Sequence, residues 1–147
     1  MSGRNNFQKL IKIKESEKNQ ILSDYQTSVS EFEDVAEQLY SFMKKKEDLE
    51  STQQQKLKQG LSIYEMRHQQ SFISNLEQTI AYYQKLVIKA RNKMQFVQDK
   101  LLEKNIEVKK YEKIYDNSQK AYLESIHLFE SKFMDEISIQ QYINRGN

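Results

Sequence analysis

The sequence predicts an all-α protein, two long helices folded into an antiparallel, left-handed coiled-coil hairpin with its turn near Gly60. Three observations predict it. From Met66 to Phe129 an apolar or aromatic residue recurs at every seventh position, through Ile73, Ile80, Val87, Met94, Leu101, Val108, Tyr115 and Tyr122. The 147 residues include no proline and three glycines, of which Gly60 alone lies between positions 3 and 146. With 30% charged and 37% hydrophobic residues, the chain is too polar for a thick globular core and suits long helices.

Helix one is expected over about residues 5 to 58. Its apolar positions form two lines at seven-residue spacing. One runs Leu22, Val29, Ala36, Met43 and Leu57, with Glu15 and Glu50 as polar members; the other runs Ile11, Lys18, Tyr25, Phe32, Leu39 and Lys46. The pattern dissolves at Ser51, Thr52, Gln53, Gln54 and Gln55. A turn is expected at 59 to 61, because Gly60 can take the left-handed conformation that ends a helix. Helix two, about 62 to 135, starts on a capping box in which Ser62 caps the amide of Glu65, Glu65 reaches back, and Leu61 staples onto Met66. Its second line is Leu76, Tyr83, Ala90, Val97, Lys104 and Tyr111, after which the stripe thins. A tail at 136 to 147 completes a single coiled-coil hairpin over 1 to 147.

A narrow apolar stripe on each helix needs a partner, and a short link makes the other helix that partner. With these lines the facing residue numbers sum to 119 or 126, and 119 is preferred because it centres the turn beside Gly60. That register sets Met43 on Leu76, Leu39 on Ile80, Phe32 on Val87 and Leu22 on Val97, with a polar Glu15 to Lys104 layer. A strict seven-residue repeat implies the left-handed supercoil. The helices are unequal, on the order of 80 Å and 110 Å at about 1.5 Å per residue. Residue 1 then reaches no further than Ser118, and Tyr122, Leu123, Ile126, Leu128, Phe129, Phe133 and Met134 lie beyond. Such an end could fray, self-associate or fold back; as a docking surface it would present an aromatic stripe to another protein.

No cofactor, metal or catalytic residue is expected. Glu65 with His68 and Glu124 with His127 share the Glu-x-x-His spacing of di-iron bundles. Both pairs lie on one helix, about 59 residues or roughly 90 Å apart, and cannot converge. Zero cysteines exclude disulfides and thiolate sites. No glycine-rich phosphate loop is present, and a two-helix rod offers no pocket for a nucleophile and base, so the chain is not expected to be an enzyme. Its 23 basic and 21 acidic residues nearly balance, which argues against nucleic acid, and Lys44, Lys45 and Lys46 read as a solvated helix face. No apolar run spans a bilayer, and Ser2 to Asn6 lack a signal-peptide core; the expected location is the cytosol.

The residues also carry a resemblance. Phe7, Gln8, Lys9 and Leu10 followed by Glu15 to Lys18, the stretch from Met66, Arg67 and His68 through Phe72 and Ile73 to Leu76, the run Tyr83 to Val87, Glu103 to Lys110, and the closing Asp135 to Ile139 together resemble the flagellar export protein FliJ family in its Gram-positive form. The resemblance covers almost the whole chain. It implies a non-catalytic component of the flagellar type III export apparatus. Family members are antiparallel two-helix coiled coils shaped like the stalk of rotary ATPases. They insert the end carrying both termini into the export ATPase ring, promote its assembly and activity, and link it to the transmembrane export gate. The protein would then be cytoplasmic and held at the membrane through protein partners, with export chaperones as further candidates. Together with the uncovered stripe, this nominates Tyr122, Phe129 and Phe133 for ATPase docking. The family's gate contact maps to Phe72, Leu76, Thr79 and Tyr83; Leu76 and Tyr83 have ordinary core roles, and Phe72, on the flank, is the one available to a partner. The alternatives are a generic coiled-coil adaptor or tether and a holdase-type chaperone.

Overall fold

The computed structural model describes residues 2–145, the side chains of Ser2, Arg4 and Asn5 excepted. Two helices, α1 (Ser2–Gln59) and α2 (Ile63–Arg145), make up the described residues apart from Gly60, Leu61 and Ser62. Contacts divide the chain into two compact units: a turn unit, Asn19–Leu102, and a terminal unit, Met1–Lys18 with Glu103–Asn147.

In the turn unit the link forms from the expected residues, one position later than expected. Gly60 has φ 91° and its amide donates to the Leu57 carbonyl at 3.4 Å, the closing bond of a helix that ends in a left-handed glycine. Lys56 and Lys58 stand in the last turn of α1, where cations offset the carbonyl end of the helix dipole. Two residues on, the Glu65 amide donates to Ser62 Oγ at 3.1 Å, and the Met66 amide to the Ser62 carbonyl at 3.0 Å. Ser62 is therefore the cap, and α2 begins at Ile63.

Which residues meet differs from the expected register. On α2 the expected lines are the covered ones: Ile73, Leu76 and Ile80 are buried, and Tyr83, Val87, Ala90, Met94 and Val97 are half-buried. On α1 the Ile11 line is covered, but its companion is not the Leu22 line. Leu22, Met43 and Leu57 are exposed, and Val29 and Ala36 are half-buried. The covered companion lies one residue earlier, at Ile21, Ser28, Val35, Phe42 and Leu49. Antiparallel pairing of the lines actually covered makes facing numbers sum to 122, as Phe42 and Ile80, Val35 and Val87, and Ser28 and Met94 do. The contacts of the turn unit lie close to that value. Lys93 reaches Glu31 at 3.1 Å, Lys46 reaches Glu77 at 3.4 Å, and the rings of Phe42 and Tyr83 lie 5.1 Å apart.

The correction from 119 to 122 has a physical reason at the turn. Gly60 ends one helix and Ser62 caps the next, so the midpoint of the hairpin must fall between them, at Leu61, and not at the breaker itself. Ser28, fully buried at a seam position, satisfies its hydroxyl by donating to the Tyr25 carbonyl at 2.7 Å. That local bond lets a polar side chain occupy a core layer.

Within the terminal unit itself, facing numbers among residues 7–18 and 104–115 also sum to about 122. Phe7 stacks on Tyr115 with ring centroids 6.2 Å apart and meets Tyr111 edge-on at 6.0 Å. Gln8 and Gln119 both donate to the Tyr115 hydroxyl. The expected Glu15 to Lys104 layer is absent; Lys104 pairs with Glu17 at 2.6 Å and Glu107 at 3.3 Å. Lys14 pairs with Glu107 at 3.0 Å and Glu17 at 3.7 Å. Finally, α2 runs past the expected end near 135 to Arg145. Residues 136–145 contain neither glycine nor proline, and loss of a seam removes a partner without touching the helix's own hydrogen bonds. The last two residues of the expected tail lie outside the described residues.

These ion pairs set a pH window. A hydrogen bond from Lys104 holds Glu17 below its ordinary 4.5, and bonds from Lys14 and Lys104 do the same for Glu107. Bonds to Glu107 and Glu17 respectively raise Lys14 and Lys104 above 10.5. A depressed carboxylate contributes fully above 4.5 and loses its contribution as pH falls through its folded value. A raised lysine contributes fully below 10.5 and loses its contribution as pH climbs through its folded value. Pairing of the terminal unit is expected to be constant between about pH 5.5 and 9.5 and to weaken outside that range. The ring NMR signals of Phe7, followed from neutral pH to pH 3, check the acid side: they should hold until the carboxylates titrate, and a shift centred near pH 6 would contradict the assignment.

Candidate docking surfaces

In the turn unit, the start of α2 carries the four residues nominated for a gate contact, and their surroundings separate them. Leu76 is 7% exposed, in the layer where the stem of Lys46 faces it. Tyr83 is half-buried with its ring against Phe42 and, at 5.5 Å, against Tyr82. Thr79 is half-buried on the flank, its hydroxyl donating to the Asn75 carbonyl at 3.1 Å. Phe72, on the same flank two turns earlier, is 51% exposed. A phenyl ring held half out of water on a rigid helix is a ready contact for a partner. The other three shape the helix beneath it.

In the terminal unit, the register fixes where α1 stops covering α2. Ser2 stands level with Lys120, since those numbers also sum to 122, so α2 continues well past the first described residue of α1. Phe129 and Phe133 are 70% and 54% exposed. Leu123, Leu128 and Met134 are exposed beside them, as are Ile139, Tyr142 and Ile143. Tyr122 differs: it is half-buried and engaged within the chain. The last three exposed residues were missed because the helix was expected to end before them, although their spacing of three and four residues is itself a helical signal. Together these side chains give α2 beyond residue 122 an apolar content that a solvated helix end does not require.

Charge around these surfaces is mixed, with Glu124, Glu130, Lys132, Asp135 and Glu136 interleaved among the apolar residues. Glu65 and His68 lie beside Gly60, Leu61 and Tyr64 in a shallow hollow at the turn. No helix among the described residues is long and apolar enough to cross a membrane.

Residues 3–147 match the family described as Flagellar FliJ protein. The chain belongs to the flagellar FliJ family. Among curated FliJ proteins, that of Bacillus subtilis (strain 168) is 55% identical over 141 residues, covering 96% of this chain and 96% of its own length. No solved structure matches the chain significantly. The resemblance read from the sequence is thus the family membership found, and the FliJ chain described here is all-helical and paired as a hairpin within its units.

Proposed function

We propose that the protein is a component of the flagellar type III export apparatus that acts as a stalk. The exposed face of α2 around Phe129 and Phe133 seats on the export ATPase ring and promotes its assembly and activity. At the turn unit, Phe72 contacts the cytoplasmic domain of the transmembrane export gate and so couples the two. The protein works in the cytoplasm, held at the membrane through these partners, and catalyses nothing itself. Membership of the flagellar FliJ family, over nearly the full chain, carries this reading; the two exposed aromatic surfaces support its residue assignments. Tyr122 flanks the ATPase contact, while Leu76, Thr79 and Tyr83 hold the helix that presents Phe72. Export chaperones are further partners in this scheme.

Affinity purification from flagellated cells with mass spectrometry tests it. Recovery of the export ATPase and the gate protein is the expected result. Recovery of unfolded clients in place of the ATPase would point to a holdase, and recovery of neither to a generic tether.

A further inference from the structure

We propose that the N-terminal segment of α1, Phe7 to Lys18, is a salt-sensitive strap: a closed ring of four ion pairs latches it onto α2, and release of the latch uncovers Val108, Tyr111 and Tyr115. The ring is closed because each cation touches both carboxylates. Lys14 lies 3.0 Å from Glu107 and 3.7 Å from Glu17, and Lys104 lies 2.6 Å from Glu17 and 3.3 Å from Glu107. Two of these contacts bridge the helices, and two tie ring members to each other along one helix.

What else holds the segment is limited. Phe7, Leu10 and Ile11 are its half-buried apolar residues, and the two seam positions that follow are occupied by Lys14 and Lys18. In the register Lys14 stands opposite Val108, which is 3% exposed, so a charged residue's stem covers one of the most buried apolar side chains of the chain. Lys14 and Lys104, the two cations of the ring, repel each other, and the carboxylates of Glu17 and Glu107 offset that repulsion. A helix end with few apolar contacts and a charged seam opens by local unfolding before the rest of a structure does. Ionic strength sets how readily, because ion pairs in contact with water weaken as salt is added. The strap rests on the ring and the register, independently of the docking reading above.

The test uses the absence of cysteine from the chain, which makes a single introduced thiol an unambiguous reporter. Ile11→Cys reports on the strap and Val35→Cys on the seam of the turn unit. Raising sodium chloride from 10 mM to 1 M shortens the screening length from about 30 Å to about 3 Å. Labelling at Ile11→Cys is expected to accelerate about tenfold, while Val35→Cys stays within about twofold. Removing the carboxylates with Glu17→Gln and Glu107→Gln leaves Lys14 and Lys104 facing one another. Labelling is then fast at low salt and slows as salt screens their repulsion, a reversal of sign that loss of packing alone does not produce. Reversing all four charges (Lys14→Glu, Glu17→Lys, Lys104→Glu, Glu107→Lys) rebuilds the ring and restores slow labelling at low salt. Helicity by circular dichroism confirms that each variant is folded. Salt-independent labelling at Ile11→Cys, whether fast or slow, would overturn the strap, as would equal acceleration at Val35→Cys, which means the whole pairing opens at once.

Discussion

Leu76→Ala lowers stability by about 2–5 kcal/mol, the usual loss for a buried leucine whose cavity only partly collapses, whereas Phe72→Ala changes it by no more than about 0.5 kcal/mol. The contrast follows from burial. Leu76 is 7% exposed in the seam of the turn unit and Phe72 is 51% exposed on its flank, four residues away on the same helix. Gate binding should order the two differently. Phe72→Ala weakens it with folding intact, so the loss is a loss of contact. Leu76→Ala weakens it only in proportion to unfolding, and the loss recovers at lower temperature. Chemical denaturation of both variants beside a binding titration with the gate's cytoplasmic domain separates the cases. Unfolding of Phe72→Ala would place that ring in the core, and normal gate binding by the same variant would remove Phe72 from the contact.

The second large effect concerns α2 beyond the reach of α1. Replacing Phe129 and Phe133 together with serine removes two rings that are 70% and 54% exposed, so thermal unfolding should move by no more than about 1 kcal/mol of stability. On the export ATPase the same variant should act strongly. Aromatic anchors commonly carry 2 kcal/mol or more of an interface, and a loss of about 2 kcal/mol raises the concentration for half-maximal stimulation roughly 30-fold. Tyr122 is left in place because it is engaged within the chain, and its removal would mix a packing loss with a docking loss. Stimulation of ATPase activity with increasing amounts of each protein reads the effect. Unchanged stimulation would discard the docking role, and a large drop in melting temperature would mean that these rings are packed within the chain.

Much of the fold was legible because α2 offers one clear stripe. Ile73, Ile80 and Val87 recur with Leu76, Tyr83 and Ala90, whereas the lines one residue to either side are interrupted, by Thr79 and Lys93 on one and by Ser74 and Gln95 on the other, so neither competes. The turn was legible because Gly60 and Ser62 each carry a specific backbone task. On α1, by contrast, apolar residues come in adjacent pairs such as Ile21 with Leu22, Val35 with Ala36 and Phe42 with Met43. Either member could line the seam, and the Leu22 line is the one that runs without a polar residue from Leu22 to Met43. The line actually buried contains Ser28 and Lys14, whose acceptability depends on a bond to the Tyr25 carbonyl and on an ion pair with Glu107. Those are tertiary or local partners that a periodicity does not display. Of the residues proposed for docking, Phe72 is legible as a flank position; the exposed Ile139, Tyr142 and Ile143 lie where the stripe has thinned, although no glycine or proline precedes them on α2.

The register decides what the hairpin buries, and in the turn unit a pair of engineered thiols measures it directly. Ser28→Cys with Met94→Cys places the two sulfurs in the layer whose numbers sum to 122. Val29→Cys with Ala90→Cys does the same for 119. A disulfide closes only where the Cα atoms come within about 7 Å, and the chain has no other cysteine to interfere. Under mild oxidation of the folded protein at low concentration, the first pair should form an intramolecular disulfide nearly completely while the second stays reduced. Ready closure of the second pair with failure of the first would contradict the register of the turn unit.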